Sequence, residues 1–221
     1  MSGKIIILWL FFLMSIVCVL SPTGRALTGT FHYAILSRNE EVGETVYEIK
    51  QDNSQIRIVS FFRMRKEEKW ENDGELVLES TTGYPIFSRK WISLPQGNMI
   101  LETSYTKEGM EIRMKAPEGE KKALLLESGP VFDVEEVGFL PSLLGLDRFT
   151  HQILRVLIPV SGMVWQGIIW KISETDQTVD FGYTLAGEIL YLKYQKAAPQ
   201  ELVELHAPSR GYTLKLKSSE K

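Results

Sequence analysis

Along most of this chain apolar and polar side chains alternate, and alternation is the mark of strands with one buried face. Phe31, Tyr33 and Ile35 share a face, a polar SRNEEVG loop follows, and Thr45, Tyr47 and Ile49 resume the pattern, which predicts a hairpin. Ile56, Ile58, Phe62 and Met64 predict a third strand, with Arg57, Val59, Phe61, Arg63 and Arg65 on its other face. The charge-balanced RMRKEEKWENDG predicts a solvated hairpin tip closing at Asp73-Gly74. Strands are then expected over Glu75–Ser80, Tyr84–Leu94, Asn98–Thr106, Met110–Ala116 and Lys121–Glu127. Met110–Ala116 alternates most cleanly, with Met110, Ile112, Met114 and Ala116 opposite Glu111, Arg113 and Lys115. From Val164 the habit returns over Val164–Ser173, Val179–Leu185, Glu188–Gln195, Leu202–His206 and Tyr212–Leu216, followed by a tail, Lys217–Lys221, expected to fray. The fold class expected is mainly β: a curved antiparallel sheet, a half-barrel or open barrel, of about eleven or twelve strands.

The stretch from Gly129 to Trp165 breaks the rhythm. Asp133 and Glu136 have the spacing of a capping box, Pro141 suits the first turn of a helix, and Gly145 suits its end. Asp147 can then cap a second helix over Arg148–Ile158, which puts Phe149, Ile153, Val156 and Leu157 on one face, with Pro159 and Gly162 as the stop. A helical insertion over residues 133–158 is therefore expected. It is read either as a plug closing the sheet's core or as a lid over an apolar cavity.

The N-terminus changes the picture of compartment. One lysine, an apolar run from Ile5 to Leu20, a Ser21-Pro22 break and the small pair Gly24 and Ala26 make an export signal with cleavage expected after Ala26. The alternative is an uncleaved anchor in the inner membrane. Residues 27–221 then form a single domain outside the cytoplasm, in the periplasm of a Gram-negative bacterium. Cys18 is the only cysteine and leaves with the signal, so the mature chain has neither a disulfide nor a thiolate metal site. Without Lys4 and Arg25 the 25 basic residues fall to 23 against 28 acidic, a formal charge of −5. That balance argues against nucleic acid and anionic membrane surfaces as partners, leaving membrane contact to the uncleaved signal or to a lipid ligand.

No motif names a reaction. His32, His151 and His206 share no metal-ligand spacing, and no nucleophile elbow, phosphate loop or calcium loop is present. No catalytic residue, metal or cofactor is therefore assigned. Asp133, Glu135, Glu136 and Asp147 could in principle run glycoside hydrolysis, but their spacing fits helix capping equally well, so a hydrolase stands third among the readings.

The segments FHYAILSRNEEVGETVYEI, GPVFDVEEVGFLPSLLG and ELVELHAPSRGYTLKL, in that order behind an export signal, resemble an uncharacterised family of exported bacterial proteins. That family is similar in fold to the half-barrels that carry or receive lipoproteins at the outer membrane. The resemblance implies a cupped sheet with helices in its mouth and an apolar interior for an acyl chain; it carries no catalytic residues. The function expected is a non-enzymatic binder of a lipid or lipoprotein acyl chain under a Val134–Ile158 lid. Met110, Ile112, Met114, Phe149, Ile153, Leu157 and Trp165 are the residues expected at the cavity and lid. The alternative is an envelope protein that binds another protein through an exposed strand edge around a solid core.

Overall fold

The computed structural model describes residues 27–64, 71–94, 97–127 and 129–220. The export signal and residues 65–70 of the expected hairpin tip lie outside the described residues. One sheet accounts for nearly everything else. Its first half is β1 (Gly29–Ser37), β2 (Glu40–Gln51), β3 (Gln55–Met64), β4 (Glu71–Glu79), β5 (Pro85–Leu94), β6 (Gly97–Tyr105), β7 (Met110–Ala116) and β8 (Gly119–Leu125). Its second half is β9 (Phe132–Asp133), β10 (His151–Ile158), β11 (Met163–Glu174), β12 (Thr178–Leu185), β13 (Glu188–Gln195), β14 (Leu202–Ala207) and β15 (Tyr212–Glu220). Between β9 and β10 lie a five-residue helix, α1 (Leu140–Leu144), and a 3-10 turn, Leu146–Phe149.

The order across the sheet is β8-β7-β6-β5-β4-β3-β2-β1-β15-β14-β13-β12-β11-β10-β9. Each half is thus a meander of hairpins, and the two halves join where β1 pairs antiparallel with β15. The pairing runs out to Thr30↔Glu220, so residues 217–220 are strand and not the frayed tail expected. Asp73 and Gly74 lie inside β4 instead of closing a tip: the register passes from Ser60↔Gly74 to Phe61↔Asn72, leaving Asp73 as the extra residue of a bulge.

The sheet is curved, open and antiparallel but for the short β9–β10 pair, as the alternation implies; the strand count is fifteen, not eleven or twelve. Two of the fifteen come from the segment expected to be helical. HQILRVLI pairs with β11 at all eight positions, His151↔Trp170 to Ile158↔Met163. A short apolar run with Ile153, Val156 and Ile158 suits a strand as readily as a helix, and pairing β11 satisfies backbone groups that a helix would leave bare. The helical insertion over 133–158 therefore reduces to α1 and the 3-10 turn, and no lid spans Val134–Ile158.

The two ends of the sheet overlap instead of pairing edge to edge. Leu154 and Val156 point from β10 into the main core, beside Ile169, Phe181, Leu192 and Tyr194. Leu157, on the opposite face, is 0% exposed because Leu101, Met110 and Ile112, on the concave face of β6 and β7, pack over it together with Val131. Polar ties reinforce the seam: the Tyr105 hydroxyl donates to Asp133 Oδ2 at 2.6 Å, and Arg155 pairs with Glu127. The sheet is therefore rolled like a scroll.

Candidate functional site

Inside the scroll, chain order decides which end is filled. After β9 the chain turns back on itself. Asp133 N–H donates to Glu136 Oε1 at 2.7 Å and Glu135 N–H donates to Asp133 Oδ1 at 3.0 Å, so the capping spacing serves a string of tight turns that carries the chain to α1. The helix is anchored at one end of the roll, where Ser142 Oγ donates to Gln200 O at 2.6 Å and Leu144 abuts Gly83. Val137, Phe139, Leu140, Leu146 and Phe149 fill that end with core.

At the other end, which carries the turns 159–162, 186–187 and 208–211, nothing comparable among the described residues fills the roll. A cavity of about 360 Å³ remains there, with Val134, Val137, Gly138 and Phe139 of the plug at its base. Its wall is the concave face of β12 to β15: Leu185, Leu190, Leu192, Leu202, Leu205 and Leu214, with Tyr33, Tyr47 and Tyr183. Its volume lies within the about 300–1,000 Å³ of small-molecule sites, which are likewise mostly apolar with a few placed polar groups.

Those polar groups fall into three sets. At the rim Arg210 Nε pairs with Glu188 Oε2 at 2.7 Å. Across from it Lys90 Nζ pairs with Glu135 Oε1 at 2.5 Å and lies 4.0 Å from Asp133. Burial opposes the charge on Lys90, but Glu135, Asp133 and Asp73 together hold its pKa above the usual value. The third is the Tyr183 hydroxyl, on a side chain 1% exposed and without a hydrogen-bond partner among the described residues. Burial alone raises its pKa. Tyr33 and Tyr194 do have partners, donating to Leu202 O and Gly138 O, each at 2.9 Å.

A smaller lobe of about 200 Å³ adjoins across Tyr47, Lys90, Glu135 and Phe139 and contains Asp73, whose pKa burial and the nearby Glu135 push up to about 6. At the closed end a cleft of about 470 Å³ runs between turns, lined by Glu79, Thr106, Lys107, Glu127 and Pro130, with Tyr84 and Met110 at its apolar side. Its walls set three charged side chains, Glu79, Lys107 and Glu127, among aromatic, proline and aliphatic residues, and no leucine lines it.

The residues expected from sequence are dispersed by the fold. Met110, Ile112 and Leu157 meet in the seam, with Met114 packed against them. Phe149 is in the core at the filled end, Ile153 is 64% exposed, and Trp165, opposite Val156 on β11, is 38% exposed. None of the seven lines the interior cavity; Met110 reaches only the cleft at the closed end. The leucines of β12 to β15 are the residues that sequence reasoning missed, because alternation marks an inward face without revealing whether anything packs against it. Asp133 and Glu136 are both fully buried, and burial, then Asp133, raises the pKa of Glu136 well above the carboxylate range. Tyr105, Lys90 and the Glu135 amide occupy Asp133 in structural contacts, while Glu136 accepts from Asp133 N–H through Oε1 and its buried Oε2 has no hydrogen-bond partner among the described residues. Among the described residues no group of His, Cys, Asp and Glu is placed to hold a metal ion, and no helix is long and apolar enough to cross a membrane. The chain matches no protein-family model, no curated protein and no solved structure.

Proposed function

We propose that this chain is an exported, non-enzymatic binding protein for an apolar molecule, a lipid or lipoprotein acyl chain, held in the interior of the rolled sheet and serving maintenance of, or transport through, the bacterial envelope. The observation that carries the proposal is the leucine-walled cavity of about 360 Å³ at the unfilled end. A fold of this size can bury its concave face completely, as it does over α1, so an apolar wall left uncovered at one end is a place for a guest. Export rests on the N-terminal signal, and the lipoprotein connection rests on the family resemblance. Native mass spectrometry of protein purified from the periplasm tests the reading. Copurified lipid, lost on replacing the partly buried Leu190 by Gln, supports it; protein that is free of lipid and does not take up a fluorescent fatty acid refutes it.

A second reading has its own observation. The edge strand β8 ends beside Leu124 and Leu126, which are 66% and 75% exposed, so the chain could instead add a partner's strand there. Lys121 and Lys122 on the same strand are the usual guards against such pairing. The cavity is therefore preferred as the working site.

A further inference from the structure

On the premise that the leucine-walled cavity holds an acyl chain, the smaller lobe beside it is placed to hold the head group. The two share Tyr47, Lys90, Glu135, Phe139 and Val160, so one guest can reach both. Val160, 63% exposed in the turn at the open end, borders each of them and puts their common opening at the mouth. They differ in kind: leucines wall the large cavity, whereas Asp73, Ser60 and Ser88 are among the residues lining the lobe.

The charges of the lobe do not cancel. Its lining includes three carboxylates, Asp73, Glu75 and Glu135, and two cations, Arg89 and Lys90. Lys90 is committed 2.5 Å from Glu135 and 4.0 Å from Asp133. Arg89 is committed at 3.8 Å to Glu75 and at 2.8 Å to Glu102. Asp73 is left over, with no cation among the described residues at ion-pair distance. As the extra residue of the β4 bulge it sits beside Gly74, and the groups that shift its titration, Ser60, Lys90 and Glu135, all border the lobe. A carboxylate drawn into the roll without a counterion is costly, and an incoming cation would offset that cost.

We infer that the small lobe is the head-group site and takes an ammonium, which pairs with Asp73 while the acyl chain of the same molecule lies among the leucines. Both an ethanolamine lipid and a lipopeptide with a free amino terminus carry this chemistry. An anionic head group would instead face Asp73 and Glu135 with no cation left to receive it.

The test sets wild type against Asp73→Asn at neutral pH and about 0.15 M salt, which screens long-range attraction to an acidic chain. Displacement of N-phenylnaphthylamine is read for dodecylamine, dodecanol and laurate, which share a chain length and differ in the head. Wild type is expected to bind the amine roughly tenfold more tightly than the alcohol, the worth of a hydrogen bond to a charged group, and laurate more weakly than either. Asp73→Asn keeps the shape of the side chain, so it should erase the preference for the amine and leave the affinity for dodecanol unchanged. Lysophosphatidylethanolamine and a diacylglyceryl lipopeptide with a free amino terminus then separate the sources, the tighter binder identifying which. The inference is overturned if wild type binds amine and alcohol alike, if laurate is the tightest probe, or if the variant keeps the preference. It is overturned too if the variant loses amine and alcohol equally, the mark of a structural role. Should the variant fail to fold, the wild-type comparison still decides. If all three heads bind alike, acyl-chain binding stands and the head-group site falls; if no probe binds, both fall.

Discussion

Truncating Leu154, Leu157 and Ile153 separately to Ala tests both the strand assignment of β10 and the overlap of the sheet's ends. In the helix that the sequence pattern suggested, Ile153 and Leu157 occupy one buried face and should respond alike. In the rolled sheet they also share a face, the convex one, but only Leu157 lies beneath Leu101, Met110 and Ile112. Leu157 is 0% and Leu154 3% exposed, so each truncation withdraws three buried carbons, about 2.4 kcal/mol at about 0.8 kcal/mol per methylene. The hole left in a packed interior adds to this, bringing each to about 3–4 kcal/mol. Ile153→Ala, on an exposed side chain, should stay within about 0.5 kcal/mol of wild type. Urea unfolding measures all three, with the midpoint shift converted through a common slope. A large loss for Ile153→Ala would restore the helix. A small loss for Leu157→Ala, with Leu154→Ala costly, would mean that the ends of the sheet do not overlap.

Two further outcomes concern the buried carboxylates. Because burial raises the pKa of Asp73 from 3.8 to about 6, the folded state keeps its proton where the unfolded state has lost it, so stability falls as pH rises between those values. Asp73→Asn should therefore stabilise the protein by up to about 3 kcal/mol above pH 6 and leave it nearly unchanged below pH 4, and chemical denaturation across that range would refute the argument by showing a pH-independent difference. Glu136→Gln should be tolerated, because an amide oxygen can still accept from Asp133 N–H and burial already favours the uncharged form of the carboxyl. Glu136→Ala should cost about 2–4 kcal/mol by opening a hole and orphaning that amide, and equal melting temperatures for the two would contradict it.

Local chemistry made much of this protein legible in one dimension. Strict alternation at Met110–Ala116 and a short apolar run bounded by turn residues at Glu188–Gln195 mark strands with those bounds, and the turn residues mark the hairpins. The spacing of Asp133 and Glu136 predicts a cap, and their side chains do cap turns. These features depend on a residue and its neighbours within a few positions, which is the range that periodicity reports.

What the sequence left open depends on partners far along the chain. Residues 151–158 satisfy both periods, and the unpaired edge of β11 decided between them. Leu157 and Ile153 are equivalent in pattern, and only the overlap of β6 and β7 makes one core and the other surface. The cavity follows the same logic. The inward leucines of β12 to β15 carry the same pattern as a filled core, and among the described residues a cavity remains at their end of the roll because α1 is anchored to Gln200 and Gly83 at the opposite end. Alternation fixes which way a side chain points; whether it meets protein, solvent or a guest is settled by how the sheet curls, a property of all fifteen strands together.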